Sequence, residues 1–175
     1  MVKIKKAIFF DRDGTIIKSN ISKDKKPIAI KTLKECKIFP SVSKILNELK
    51  KEYLIFLITN QPDVFRKKNT KKNVLKINNF LLKKLPIKKI YTCYCENKKC
   101  RFRKPNNGML IKASKKYKIN LSKSFVVGDR WKDINAGKLS KCTTIFINKK
   151  YNEKIRIKPD YYIKSFYQLK KIFKV

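Results

Sequence analysis

The sequence predicts an α/β protein built on an open parallel sheet with helices on both faces. Three observations point to it. Short continuous apolar runs read as strands buried on both sides, segments of helical periodicity separate them, and polar or acidic residues stand directly after three of the runs.

Ala7-Ile8-Phe9-Phe10 is the first such strand and ends in Asp11. An irregular polar stretch is expected to about Pro40. Ser41 is placed to cap a helix in which Val42, Ile45, Leu46 and Leu49 share one face. Tyr53 to Ile58 is a second apolar strand, followed by Thr59 and Asn60. Thr70 can cap a helix with Val74, Ile77 and Leu81 on one side, and Lys89 to Thr92 reads as a strand leading into a group of cysteines. Asn107 to about Tyr117 is helical. Phe125-Val126-Val127 is a buried strand ending in Gly128-Asp129, and Trp131 to Leu139 forms the next helix. Thr143 to Ile147 and Tyr161 to Ile163 are strands, and a helix from Ser165 closes the chain. Strand and helix alternate throughout, so right-handed crossovers are expected, with the ligand site at the carboxyl ends of the strands.

A chain of 175 residues with 42% apolar content can bury one sizeable core. One domain over residues 1–175 is therefore expected. No run of 18 or more apolar residues is present to span a bilayer, and the charged start MVKIKK does not resemble a signal peptide, so a cytoplasmic protein is expected. The formal charge of +35 would ordinarily point to nucleic acid or an anionic surface. Here lysine recurs in nearly every stretch of the chain, with Asn and Ile also abundant. All three have A/T-rich codons, so genomic composition explains the excess without a partner. A small phosphorylated substrate is drawn by the same field, whereas a membrane or nucleic-acid partner is not expected. The five cysteines, at positions 36, 93, 95, 100 and 142, accompany no export signal and are expected to be free thiols. Cys36 and Cys142 sit in apolar surroundings and read as core residues.

Asp11-Arg12-Asp13-Gly14-Thr15 places two carboxylates two positions apart beyond a buried strand. One carboxylate can attack phosphorus while its neighbour protonates the leaving oxygen and later deprotonates water. Gly14 permits the turn that brings the second back toward the first. Carboxylates facing a phosphate monoester require a divalent cation to offset the charge. Hard oxygen donors favour Mg²⁺, held by Asp11 and Asp129 with the Asp13 carbonyl as a third ligand. Thr59 can donate to the phosphoryl oxygens, and Lys104 adds positive charge there. Any one of these features alone is a common turn, cap or surface lysine. It is three acidic or hydroxyl stations in order along the chain, each directly after a buried strand, with a lysine between the second and third, that carry the reading.

FFDRDGTI, LITNQ, RKP and VVGDRWKDINAG together resemble the four motifs of the haloacid dehalogenase superfamily. Within it, DRDGTI, TNQ, the cysteine segment and RKPxxGM are similar to the branch that contains heptose 1,7-bisphosphate 7-phosphatases and histidinol-phosphate phosphatases. The resemblance implies a Rossmann-like three-layer sandwich without a large cap domain. It implies Asp11 as nucleophile, Asp13 as general acid and base, Thr59 and Lys104 as phosphoryl stabilisers, and Asp129 as Mg²⁺ ligand. Asn60, Gln61, Arg103 and Arg130 are implied as substrate contacts. The implied substrate is a phosphorylated sugar of the pathway to surface glycans and lipopolysaccharide, with histidinol phosphate and a polynucleotide 3′-phosphate as the alternatives. A monomer is expected. The branch also carries a structural zinc loop. In this chain Cys93, Cys95 and Cys100 stand at three ligand places and Phe102 at the fourth, so the loop either holds Zn²⁺ with water or a carboxylate completing the set, or holds no metal. Pro62-Asp63 replaces a serine-glycine step in the second motif, which implies an altered substrate pocket.

Overall fold

The computed structural model describes residues 5–175. In chain order its elements are β1 (Ala7–Phe10), β2 (Asn20–Ile21), β3 (Pro27–Ile28), α1 (Val42–Leu49), β4 (Leu54–Asn60), α2 (Lys71–Lys84), β5 (Lys89–Cys93), α3 (Gly108–Tyr117), β6 (Phe125–Gly128), α4 (Trp131–Leu139), β7 (Thr143–Ile147), β8 (Tyr161–Ile163) and α5 (Leu169–Phe173). Six strands form one sheet in the order β5-β4-β1-β6-β7-β8, and every pairing in it is parallel. The chain begins at the centre, builds outward through β4 and β5, then returns to the other side of β1 for β6, β7 and β8. The reversal falls at β1, where such sheets open a crevice beyond their carboxyl ends.

The two-residue period of a strand divides the core. Ile8 and Phe10 pack with Ile45, Leu46, Leu49, Ile77, Leu81 and Leu169, so α1, α2 and α5 cover one face. Ala7 and Phe9 pack with Met109, Leu110, Ala113 and Ala136, so α3 and α4 cover the other. All four residues of β1 are fully buried, each large apolar side chain among them contributing roughly 1.5–3 kcal/mol of transfer free energy. This is the three-layer arrangement the sequence predicts. No helix among the described residues is long and apolar enough to cross a membrane.

Local signals mostly act as expected. Thr70 Oγ1 accepts from the Asn73 amide at 3.1 Å and caps α2. Ser41 does not cap α1 through its side chain. It sits in the left-handed region at φ 68°, and the helix is opened by backbone bonding alone, Ile45 N donating to the Ser41 carbonyl at 2.9 Å. The stretch expected to be irregular contains the antiparallel hairpin of β2 and β3, closed where Ser22 Oγ accepts from Lys26 N at 3.0 Å. A three-residue helical turn follows at Leu33–Glu35. Strands of two residues carry too little pattern to be read from sequence.

Gly137 lets α4 approach the sheet: a Cβ there would lie 2.6 Å from Thr144 Cγ2 and 3.0 Å from Val126 Cβ. Gly137→Ala is expected to lower stability by about 1–3 kcal/mol, as overpacking does, and to shift the urea midpoint accordingly. A midpoint equal to the parent's would mean that the helix stands off without cost.

Candidate active site

β1, β4 and β6 end side by side, and each hands polar residues to the same crevice. Asp11 follows β1, with its amide donating to the Val127 carbonyl at 2.9 Å, and the chain then turns sharply, Ile16 N and Ile17 N both donating to the Arg12 carbonyl. Gly14 makes the turn at φ +87°; a Cβ on it would meet Asp129 Oδ2 at 1.9 Å, so no larger residue leaves room for the carboxylate arriving from β6.

Asp11, Asp129 and Asp133 form a buried cluster in which one carboxylate oxygen of each lies within 4.8 Å of the others. Lys104 projects into it from the loop after β5. The residue is only 3% exposed, and its ammonium donates to Asp11 Oδ1 at 2.5 Å and to the Ile58 carbonyl at 2.8 Å, and pairs with Asp133 Oδ1 at 2.6 Å. All three ammonium protons thus have partners. Burial alone would make this lysine easier to deprotonate. The Asp11 and Asp133 carboxylates more than reverse that, leaving its pKa raised. Burial, with Asp11 adding to it and Lys104 opposing, pushes Asp133 up to about 6. Burial and the neighbouring Asp11 and Asp133 hold Asp129 well above the usual carboxylate range.

Asp129 Oδ2 is buried without a hydrogen-bond partner, and Oδ1 receives only a long contact of 3.4 Å from Thr15 Oγ1. A buried carboxylate left in this state, beside two others and a single lysine, is a donor set suited to a hard divalent cation such as Mg²⁺.

Asp13 points away from that cluster. Its carboxylate pairs with Arg12 Nη2 at 2.9 Å, and Oδ2 accepts from Gln61 Nε2 at 2.8 Å. The same Gln61 amide donates to Thr59 Oγ1 at 2.9 Å. Gln61 and Thr59 are each 1% exposed, so this amide braces the general-acid candidate against the end of β4 and presents little surface to a substrate. Asn60 lines the crevice, but its amide is spent in a reciprocal clamp, Nδ2 donating to the Lys104 carbonyl at 2.9 Å and Oδ1 accepting from Lys104 N at 3.1 Å. Arg130 is held by Glu153 in a two-pronged pair of 2.9 and 2.6 Å, and Arg103 donates to the Cys95 carbonyl at 2.7 Å. Both arginines line a cavity of about 420 Å³ that adjoins the reaction crevice along the β2–β3 hairpin, at Pro27, Ile28 and Ala29.

The cysteine loop lacks the convergence of a closed metal site. Cys93 and Cys100 Sγ are 3.9 Å apart, yet Asp11, Asp129 and Asp133 are the one tight group of three metal-ligating side chains among the described residues. Phe102 occupies the place of a fourth ligand and lies under the Arg101 guanidinium and the Lys112 ammonium. Asn106 ties the loop through the Cys100 and Lys98 carbonyls at 3.0 and 3.2 Å. The donor set is one ligand short of a structural zinc site.

Four residues assigned no role from sequence complete the surroundings: Asp133, Arg12, Asn78 and Tyr151. Asp133 carries a signal, an acid in the first turn of the helix after Asp129, where its Oδ2 caps Arg130 N at 3.1 Å. Arg12 is fully buried and donates to Asn78 Oδ1 at 2.8 Å, which no local pattern announces.

A family model described as polynucleotide kinase 3 phosphatase matches residues 6–162. D-glycero-alpha-D-manno-heptose-1,7-bisphosphate 7-phosphatase of Campylobacter jejuni is 33% identical over 138 residues, spanning 75% of this chain and 76% of the relative. D-glycero-beta-D-manno-heptose-1,7-bisphosphate 7-phosphatase of Pasteurella multocida is 30% identical over 189 residues, spanning 98% of each. Among solved structures, D,D-heptose 1,7-bisphosphate phosphatase of B. bronchiseptica, complexed with magnesium and phosphate, superposes with a TM-score of 0.78 at 19% identity over 97% of this chain and 98% of that one. A HAD phosphatase of Thermococcus onnurineus gives 0.67 at 19% identity, over 96% of this chain and 97% of that one. With its parallel sheet, its paired aspartates after β1 and its match over most of its length, the chain belongs to the polynucleotide kinase 3 phosphatase family of the haloacid dehalogenase superfamily.

Proposed function

We propose that the chain is a Mg²⁺-dependent phosphomonoesterase working through an aspartyl phosphate on Asp11, and that it removes the 7-phosphate of D-glycero-D-manno-heptose 1,7-bisphosphate. The observation that carries the mechanism is the convergence of Asp11, Asp129 and Asp133 around the Lys104 ammonium. The substrate reading is supported by relatives of that name which match along most of their length.

A carboxylate oxygen of Asp11, its plane fixed by Lys104, attacks the phosphorus while the ester P–O bond breaks. Asp13 gives its proton to the departing sugar oxygen. Asp13 then takes a proton from water, whose oxygen attacks the phosphorus and breaks the bond to Asp11, so inorganic phosphate leaves and both carboxylates return to their starting forms. Thr59 and the Lys104 charge support the phosphoryl oxygens. Asp11, Asp129 and the Asp13 carbonyl would hold Mg²⁺, which supplies the positive charge that lets a phosphate dianion lie among carboxylates. Arg103, Arg130, Asn60 and Gln61 line the way in and shape the pocket. No step requires the cysteine loop. Cys93, Cys95 and Cys100 are its ligands if it takes Zn²⁺ with water as the fourth, which a metal assay on the purified chain decides. A cytoplasmic monomer is the matching expectation.

A second reading, a polynucleotide 3′-phosphatase, is favoured by the description of the matching family model and by the +35 charge. Phosphate release with Mg²⁺ from heptose 1,7-bisphosphate in both anomers, histidinol phosphate and a 3′-phosphorylated oligonucleotide separates the readings. A preference of tenfold or more in kcat/KM for a heptose anomer, about 1.4 kcal/mol in transition-state binding, is expected. Preference for the oligonucleotide would replace the sugar reading. Asp11→Asn is expected to lower kcat on the order of 10⁴-fold or more with the fold retained, and activity near the parent's would sink the covalent route. Lys104→Met strands Asp11 and Asp133 without their cation and is expected to cost about 3–5 kcal/mol in urea unfolding, part of it recovered by saturating Mg²⁺. Unchanged stability would mean that the ammonium does not balance the cluster.

A further inference from the structure

Residues 148–158, between β7 and β8, run as a strap with alternate side chains turned inward: Tyr151, Glu153, Ile155 and Ile157 are half-buried and the residues between them exposed. The strap is fastened across the crevice. Asn152 N donates to the Lys25 carbonyl of the β2–β3 turn at 3.0 Å, Glu153 pairs with Arg130, and the Lys149 ammonium lies 3.9 Å from the centre of the Phe39 ring. Between these fastenings the Tyr151 hydroxyl comes to 3.0 Å from Ser19 Oγ and stands on the Gly14 side of the Asp129 carboxylate, short of a hydrogen bond to it. A Cβ on Gly14 would lie 1.9 Å from Asp129 Oδ2 and 2.8 Å from the Tyr151 hydroxyl, so both oxygens crowd one point above the glycine. The carboxylate has little else to fix it, since its own contacts are the long one from Thr15 at Oδ1 and none at Oδ2.

We propose that Tyr151 is a positioning residue for Asp129: Ser19 donates to the phenol oxygen, and the phenol directs its own proton to Oδ2, holding the carboxylate against Gly14 in the orientation that binds Mg²⁺. The proposal rests on the reading of Asp129 as a Mg²⁺ ligand. Hydrogen-bond partners of a metal ligand fix its orientation before the ion arrives, and their loss weakens metal affinity. The strap would thereby link the metal ligand to the hairpin that overhangs the substrate entrance.

Trp131 is the one tryptophan of the chain and stands two residues from Asp129, so its fluorescence reports Mg²⁺ titrated alone, without substrate. In the full chain, Tyr151→Phe is expected to raise the Mg²⁺ Kd about tenfold, within the 10–100-fold range for such partners, while the metal-free unfolding midpoint stays at the parent's value. Ser19→Ala is expected to shift the Kd in the same direction by a smaller factor. A Tyr151→Phe chain with the parent's Mg²⁺ Kd overturns the proposal. So does one whose metal-free midpoint falls along with its affinity, because the role is then structural only. A parent chain that binds Mg²⁺ but releases phosphate from no substrate would sink the proposed function and leave this inference standing.

Discussion

Charge balance in a nearly dry crevice is the constraint on which the site depends. Asp11, Asp129 and Asp133 stand within 4.8 Å of one another, and burial together with the neighbouring Asp11 raises the affinity of Asp129 and Asp133 for protons. One ammonium cannot neutralise three of them. Lys104 nevertheless has to be there, and it comes from 93 positions along the chain to pair with Asp11. The Asn60 amide clamp and the Ile58 carbonyl exist at the end of β4 to receive it. The charge still uncompensated is what suits the crevice to a divalent cation and a phosphate, whose charges complement one another in a site of low dielectric.

A separate polar chain serves Asp13. Arg12, fully buried, grips that carboxylate and is itself held by Asn78 of α2, whose amide donates to Thr92 Oγ1 of β5 at 3.1 Å. Gln61 completes the bracket from the other side. The two aspartates of one motif therefore live in different surroundings. Asp11 belongs to the metal-like cluster, whereas Asp13 belongs to a network anchored on α2 and β5. The proposed roles of the two, one attacking phosphorus and the other moving a proton, call for such a difference of surroundings.

The excess of lysine tells less than the placement of the few acids. The chain has 47 basic residues and 12 acidic ones, and four of the acids, Asp11, Asp13, Asp129 and Asp133, stand in this one crevice. Others are spent on its walls: Glu153 on Arg130, and Glu96 with Asp63 on Arg66. Much of the basic charge thus faces water, while the charges that shape the pocket are paired in fixed geometry.

The sheet and its helices were legible because burial on both faces writes itself into a strand as an unbroken apolar run, and a helix face recurs at a fixed spacing; β1, β4, α4 and β7 follow from such runs. Asp11, Thr59 and Asp129 were legible for a related reason, since a parallel sheet delivers whatever follows its strands to one edge, whereas Lys104, beyond the cysteine loop, was marked only by its place between the second and third of these stations. What the local pattern could not state is which side chains meet across that edge. Asn60 and Gln61 look like free amides facing a substrate, and only the tertiary contacts reveal that one clamps the Lys104 backbone and the other braces Asp13. Arg12, buried at the heart of the motif, depends on a partner 66 positions away, at Asn78, and Tyr151, on the strap beyond β7, meets Ser19 132 positions away. Sequence determined the layers and the roster of chemical groups, because those depend on periodicity along the chain. The pairing of buried charges was decided by tertiary structure, because it depends on distances between segments that the chain alone does not bring together.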